Sequence, residues 1–520
     1  MMVQVNCRGF AVAQFMQPEP AKYARGPALE AQTFMQPEQA YYAHHPGRFF
    51  YLKDERTGDL VSLPYEPVRA EPDHFDFSAG QGDVCWTIEQ LGVRCCLRVA
   101  LPCEDVVELW SLELTNLGTE ARDLSIYSYF PVGLMSWMNQ SASYQKMLQG
   151  IVCESVTPYQ KVEDYFKHQN FQDQTFFLSD REPVSWETRQ AKFEGEGGLH
   201  APSALQAKEL ENGRALYETP AAVLHYSVRM EATQSEKFKF LFGPAKNQVQ
   251  ILTLKQKYLE NTLGFDRANE AYAHYLREGE GSLKLESPDK DFDDFVNHWL
   301  PRQVYYHGDV NRLTSDPQTR NYLQDAMGMV YIKPAAARSA FVRALSQQAS
   351  NGAMPDGVLL HDEAQLKYIN QVPHVDHAVW LPLCLRAYLD ETGDYEFLAE
   401  TLPFACTEGQ AETASVFEHI ERALRYLMGA RDGRGLHYIE QGDWCDPMNM
   451  VGYQGRGVST WLSLASAYAM KQWAEVCEQM SEIDLALQHN LNTKTLNEAV
   501  NQHCWDGQWY GRGISDEGIA

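Results

Sequence analysis

Lys255-Gln256-Lys257-Tyr258-Leu259-Glu260-Asn261-Thr262-Leu263-Gly264-Phe265-Asp266-Arg267-Ala268-Asn269-Glu270-Ala271-Tyr272-Ala273-His274-Tyr275-Leu276 marks a change in the hydrophobic period of the chain. Upstream, from about Phe49 to Thr253, apolar residues alternate with period two: Trp110, Leu112 and Leu114 share one side of a strand, Asn116-Leu117-Gly118 turns, and Leu124, Ile126, Ser128 and Phe130 return. Turn signals at short intervals and few helical stripes predict a large antiparallel β-sandwich over residues 1–255. Downstream the period becomes helical. Residues 256–291 are expected to form a helical linker, with a charged, glycine-containing stretch at 279–291, and residues 292–520 a helical domain. The fold class is therefore α+β, multidomain. A near-repeat, Phe15-Met16-Gln17-Pro18-Glu19 against Phe34-Met35-Gln36-Pro37-Glu38, is expected to be a doubled edge-strand or loop element.

Within the helical half, Ser415-Val416-Phe417-Glu418 has the form of a capping box, Val416, Ile420, Ala423, Leu424 and Leu427 make a stripe, and Gly429 ends the helix. Ser459 or Thr460 can cap a second helix with a stripe through Leu462, Ala465, Ala469, Trp473, Val476 and Met480. Between them, Gln441-Gly442-Asp443-Trp444-Cys445-Asp446-Pro447-Met448-Asn449-Met450-Val451-Gly452 sets two carboxylates and an indole in one loop. An indole stacks on the C–H face of a pyranose, and a carboxyl held beside it can donate a proton to a glycosidic oxygen. Asp446 is the candidate acid. The same residues also fit a helix-capping loop with a packed Trp.

Arg320-Asn321-Tyr322-Leu323-Gln324-Asp325 is a second constellation, because a guanidinium fork with amide and carboxylate groups within one turn can bind several hydroxyls of one sugar. Ordinary salt bridges at a helix N-terminus would use the same residues. His374-Val375-Asp376-His377 offers metal-ligand types but no third partner at a recognisable spacing, and no metal is expected. Gly452-Tyr453-Gln454-Gly455-Arg456-Gly457 lacks the Gly-Lys-Ser/Thr ending of a P-loop; its glycines suit a sharp turn or a close backbone approach.

With 520 residues and 44% hydrophobic content, the chain can bury more than one core. A formal charge of -26 argues against nucleic acid and an anionic membrane as partners. Eleven cysteines, an odd number without paired C-x-x-C, describe neither a disulfide framework nor a zinc site. The first residues lack a basic segment followed by an apolar one, so the expected location is cytoplasmic.

The Gln441–Gly452 loop resembles the general-acid segment of the inverting disaccharide phosphorylases of glycoside hydrolase family 94. Other landmarks follow in order: Asn297-His298-Trp299-Leu300-Pro301-Arg302-Gln303 is similar to the start of the family's helical barrel, Arg320 to Asp325 to its sugar-binding segment, and Asp376 to Trp380 to its Asp-Asp-x-x-Trp segment. The likeness reaches the N-terminal half through Phe49-Phe50-Tyr51-Leu52-Lys53-Asp54 and Leu112-Glu113-Leu114-Thr115-Asn116. The Gly442 to Gly452 segment and the Phe-Met-Gln-Pro-Glu elements look closest to members that act on glucosyl-gluconic acid.

The resemblance implies an (α/α)6-type barrel, with residues 292–520 as its N-terminal part, incomplete at the C-terminus, so that the chain by itself is expected to be inactive. It implies inverting phosphorolysis of a β-glucosyl disaccharide, with cellobionic acid the best match, giving α-glucose 1-phosphate and gluconic acid. Cellobiose or a related disaccharide is the alternative substrate, and a non-catalytic carbohydrate-binding fragment the alternative function. Inorganic phosphate is the co-substrate and no cofactor is implied. Asp446 is carried over as the general acid. Arg320, Asn321, Gln324, Asp325, Trp444 and Asp443 come over as substrate-binding residues, with Asp443 orienting the loop or acting on the acid by like-charge proximity, and Arg312 as the phosphate-binding arginine.

The chain departs from the family pattern where Asn321 replaces Asp, Cys445 replaces Asn and Val458 replaces Glu, and it is shorter between Arg312 and Arg320, so one further sugar-binding Arg is expected to be missing. The resemblance also implies a homodimer, with Trp137 and Met138 in Met135-Ser136-Trp137-Met138-Asn139 as candidate contacts.

Overall fold

The computed structural model of the chain describes residues 1–16, 31–34, 47–80, 82–132, 140–154, 174–281, 283–311, 314–362, 364, 366, 374–406 and 411–518. Two compact units divide between Arg277 and Glu278, inside the stretch expected as a linker.

In the first unit, a five-stranded antiparallel sheet runs in the order Ser185–Arg189, Pro220–Met230, Arg122–Pro131, Phe49–Asp54, Leu60–Leu63. It faces a nine-stranded antiparallel sheet in which Glu108–Asn116 lies between Ser235–Ala245 and Val93–Ala100. Aromatic rings lock the two faces: Phe130 lies 4.3 Å from Phe177 and 5.5 Å from Trp110, and Phe50 lies 5.2 Å from Phe240, centroid to centroid. Trp110, Leu112, Leu114, Leu124, Ile126 and Phe130 are all in this core.

The residues expected to form one hairpin do share this core, but the pairing is different. Glu108–Asn116 and Arg122–Pro131 belong to opposite sheets, so the turn between them is an arch across the core. Asn116 explains the crossing: its Nδ2 donates to the carbonyls of Glu120, Met230 and Glu231, and its Oδ1 accepts from the Gly118 N–H. A buried amide satisfied in this way fixes the corner, whereas period-two alternation reports only which face is buried and cannot distinguish a hairpin from an arch.

The outer faces are covered as well. Helix α1 (Gln248–Lys255) and helix α2 (Gly264–Glu278) bring Ile251, Leu254, Phe265 and Ala268 onto Val107, Leu109, Phe176, Leu178 and Leu241 of the larger sheet. On the smaller sheet, Phe193, Leu205 and Leu210 cover Phe49, Tyr51, Tyr127 and Tyr129. This is why Phe49 to Leu52 are apolar without alternation, and why the helical stretch after Thr253 belongs to the sandwich. At the N-terminus, Ala11–Met16 pairs antiparallel with Ala31–Phe34, so the near-repeat begins on neighbouring strands. The rest of both copies, and Met135 to Asn139, lie outside the described residues.

The second unit contains α3 (Leu300–Val310), α4 (Thr319–Met329), α5 (Pro334–Leu345), α6 (His377–Thr392), α7 (Val416–Gly429), α8 (Thr460–Gln479) and α9 (Ile483–His503). Ser415 caps α7, accepting from the Glu418 N–H at 3.2 Å, and Ser459 caps α8, accepting from Leu462 N–H at 2.9 Å. Helix α8 buries Leu462, Ala469, Trp473 and Val476 of the expected stripe, leaves Ala465 and Met480 half-buried, and adds Ser463, Ser466, Ala467, Met470, Ala474 and Cys477, because it packs against α6 and α9 together. Helices α4 and α6 also pack together, each followed by a helix packed beside it, and the starts of α4, α6 and α8 gather at one end of the unit.

Candidate active site

Arg320, in the first turn of α4, organises that end. Its guanidinium is buried, donating to Asp376 Oδ1 at 3.2 Å, to the carbonyl of Asp443 at 3.0 Å and to Asp446 Oδ1. The start of α4 is pinned by the 355–357 loop: Thr319 N–H donates to the Asp356 carbonyl and its hydroxyl to that of Pro355. Asp376, immediately before α6, is fully buried and receives the Trp380 indole N–H on its second oxygen at 3.0 Å.

Asp446 opens the short 3-10 turn Asp446–Met448, and its side chain is 60% exposed. Both of its contacts fall on Oδ1, from Arg320 and from His374 Nε2 at 3.1 Å. Trp444 is also exposed, with its ring 6.2 Å from Trp461, which lies 6.3 Å from Trp380. A row of three indoles thus starts from the loop that bears the solvent-facing Asp446 carboxylate, offering a surface suited to an apolar sugar face and a group that can exchange a proton.

Asp443 is tied down. Fully buried, it accepts from Arg512 on both oxygens at 2.6 and 2.9 Å, from the Ser459 hydroxyl at 2.5 Å and from the Cys445 N–H at 2.9 Å. Arg512 arrives beside a small sheet in which Val458–Ser459 pairs with His437–Tyr438 and with Gly513–Ile514. Of the two actions expected of Asp443, orienting the loop fits its contacts and like-charge action on Asp446 does not, because its carboxylate is buried and neutralised by a guanidinium. Asn321 donates to Gln318 Oε1 at 3.3 Å, and Gln324 and Asp325 are half-buried on the following turn. Arg312 lies outside the described residues.

The 452–457 turn is closed internally. A Cβ on Gly457 would lie 2.2 Å from the Val451 carbonyl, so only glycine allows this approach. The Asp516 carboxylate accepts from the N–H groups of Gln454, Arg456 and Gly457. Although burial opposes its ionisation, these donors hold its pKa below the ordinary carboxylate value.

His374 and His377 find the third partner that spacing did not reveal. Asp356 Oδ1 meets His374 Nδ1 at 2.9 Å and His377 Nε2 at 2.8 Å, and accepts from the His374 backbone N–H at 3.1 Å. Burial works against ionisation of Asp356, but these hydrogen bonds prevail and depress its pKa strongly. The His374 pKa is raised, first by its bond to Asp356, against burial, with Arg320 lowering and Asp446 raising it. These side chains are of types that can hold a cation and lie within 4.8 Å of one another, but here their contacts are made to each other. Asp356, His374, Ser459 and Arg512 were not legible as site residues; the pair of histidines flanking Asp376 was the available signal.

The first unit is thus a β-sandwich, and in the second the gathered helix starts and the loop before α8 bring together a carboxylate, a buried arginine and indoles. The chain belongs to glycosyl hydrolase family 94: residues 37–261 match the family's supersandwich domain and residues 275–520 its catalytic domain. It is 56% identical to cellobionic acid phosphorylase of Neurospora crassa over 520 residues, all of this chain and 65% of that protein. It is 30% identical over 484 residues to 3-O-beta-D-glucopyranosyl-beta-D-glucuronide phosphorylase of Paenibacillus borealis, covering 91% of this chain and 61% of the relative. The chain thus spans slightly less than two thirds of these relatives. A bacterial glucoamylase complexed with acarbose shares the fold at a TM-score of 0.54 and 7% identity, over 98% of this chain and 72% of that one. No helix among the described residues is long and apolar enough to cross a membrane.

Proposed function

We propose that this protein performs inverting phosphorolysis of a β-glucosyl disaccharide, with cellobionic acid as substrate and inorganic phosphate as co-substrate, without a cofactor. The observation that carries the reading is Asp446, two positions from Trp444, which among the described residues is the solvent-facing carboxylate of its network. The other carboxylates of its network are spent: Asp356 on His374 and His377, Asp376 on Arg320, Asp443 on Arg512. An inverting hydrolase needs a second carboxylate about 6.5–9.5 Å away to activate water. Phosphate is already an anionic nucleophile and needs none.

In this reaction the Asp446 carboxyl gives its proton to the interglycosidic oxygen as the C1–O bond breaks. A phosphate oxygen forms the new bond to C1 from the opposite face, yielding α-glucose 1-phosphate and gluconic acid. Arg320, Asn321, Gln324, Asp325 and Trp444 hold the glucosyl unit and Arg312 the phosphate. The names of the Neurospora and Paenibacillus relatives, both phosphorylases of substrates bearing a sugar acid, support an anionic acceptor over cellobiose. We further propose that the helical unit is part of an (α/α)6 barrel, a reading supported by the alternation of α4, α6 and α8 with α5, α7 and α9, and that the protein is a cytoplasmic homodimer.

The test is an assay of the intact protein with cellobionic acid and cellobiose side by side, with and without phosphate. Phosphate-dependent glucose 1-phosphate, faster from cellobionic acid, is expected. Release of free glucose without phosphate would sink the phosphorylase reading, and equal rates on both sugars would sink the acceptor assignment.

A further inference from the structure

His374 has no part in the reaction as written, yet it touches the acid directly and is held more tightly than a bystander needs. Its Nδ1 and backbone N–H both meet Asp356 Oδ1, at 2.9 and 3.1 Å, which fixes the ring plane and places Nε2 within ion-pair distance of Asp446 Oδ1, 3.1 Å away. Asp356 is itself held by His377 Nε2 at 2.8 Å. The loop bearing Asp446 is fastened to the same residue pair a second time, because Val375 N–H donates to the Gly442 carbonyl at 3.1 Å. Gly442, at φ +151°, lies so close to the imidazole that a Cβ there would sit 3.1 Å from its Cδ2 and 3.4 Å from its Nε2. The ring therefore packs against the loop at one point and meets the carboxylate at another.

We propose that His374 is a positioning residue for the general acid: clamped by Asp356, it holds Oδ1 of Asp446 together with Arg320, so that Oδ2 is the oxygen presented to the interglycosidic oxygen. Asp356 and His377 act through His374 and touch no substrate. The proton leaves Oδ2 for the glycosidic oxygen, and the negative charge that remains on the carboxylate is met at Oδ1 by a hydrogen bond from the Arg320 guanidinium and by the charge of the His374 ring, whose Nε2 lies 3.1 Å away. The raised pKa of His374 is in keeping with an imidazole placed between two carboxylates. In the family's Asp-Asp-x-x-Trp segment the second position is His377 in this chain, so the Asp356 clamp on two imidazoles uses this sequence's own residues.

This inference rests on the phosphorolysis reading, and leaving-group dependence tests it. An acid correctly aimed matters for a sugar leaving group, whose oxygen must be protonated, and little for a nitrophenolate, which leaves unprotonated. His374→Ala is expected to lower kcat on the disaccharide by about 10–100-fold, less than the roughly 10²–10⁴-fold for loss of the acid itself, because the acid is misaimed and not removed. KM should change less than threefold, and nitrophenyl β-glucoside phosphorolysis should stay within about threefold of wild type. His374→Gln, whose amide can still reach Asp446, should recover part of the loss, and Asp356→Asn should show the same leaving-group signature in weaker form. Equal losses on both substrates, or no loss on the disaccharide, in a variant with unchanged circular dichroism would overturn the proposal while leaving the phosphorolysis reading intact. Absence of phosphorolysis in a wild-type protein spanning the full length of the Neurospora relative would overturn both.

Discussion

Each unit contains a deeply buried arginine paired with acids, and the two pairs differ in one respect. In the sandwich, Arg48 and Glu108 meet at 2.6 Å with side-chain exposures of 1% and 0%, and the Trp110 indole N–H closes the second carboxylate oxygen at 2.6 Å. In the helical unit, Arg320 is 5% exposed and its partner Asp376 is sealed, but its other partner, Asp446, is 60% exposed. A pair sealed on both sides can only hold the fold. A pair with one open partner can exchange that partner's proton with a ligand while the buried arginine stays fixed, so position, more than residue type, separates structure from chemistry.

The largest effect that could break this comparison is on activity. Asp446→Asn should reduce phosphorolysis of the disaccharide by about 10²–10⁴-fold or more. Because the side chain is exposed, the melting temperature should barely move, and nitrophenyl β-glucoside should recover much of the rate. A large stability loss with no leaving-group dependence would place Asp446 with Glu108 as a structural acid. On the sealed side, Arg48→Met leaves Glu108 buried and unpaired, which costs about 3–5 kcal/mol. Urea unfolding should show that loss, and a variant as stable as wild type would mean that the sandwich tolerates the uncompensated acid.

Between these extremes lies Ser459→Ala, which removes both the cap of α8 and a donor to Asp443. Loss of a cap costs about 1 kcal/mol, and loss of one hydrogen bond to the charged Asp443, which keeps Arg512 on both oxygens, about 1.5–3 kcal/mol. A melting temperature lowered by several degrees with a smaller kcat effect than in Asp446→Asn is expected; the reverse ranking would make the anchor more important than the acid.

The smallest effects concern pH, and their signs oppose each other. Burial lowers His225 in the sandwich to about 4, so the unfolded chain takes up its proton first and this contribution to stability declines as pH falls from about 6.5 towards 4. His374 is raised by its bond to Asp356; its contribution is fully present below the unfolded value and fades as pH rises through the folded one. Melting curves across pH should flatten on the acid side in His225→Asn and on the alkaline side in His374→Gln. Identical pH profiles for wild type and both variants would remove this contrast.

Much of the local order was legible because its causes are local. The caps at Ser415 and Ser459 act on an N–H three residues ahead, and helical and strand periods are properties of neighbouring side chains. Trp444 and Asp446 were legible for a similar reason, being two residues apart in one loop. The arch at Asn116 was not, because its amide is satisfied by Met230 and Glu231, more than a hundred positions away. That Asp443 orients the loop was one of the two roles expected of it; its means was not legible, because Arg512, which neutralises it, lies 69 residues downstream.

The sequence by itself therefore determined the class of each half, the starts of α7 and α8 and the loop that carries Trp444 and Asp446. Tertiary structure decided which strands share a sheet, that α1 and α2 cover the sandwich, and that Asp356 and His374 stand behind Asp446. The physical reason is range. Caps, stripes and turns draw their free energy from residues within a few positions, whereas Arg320 and Asp446 are 126 residues apart and meet only because the starts of α4 and α6 converge with the loop before α8.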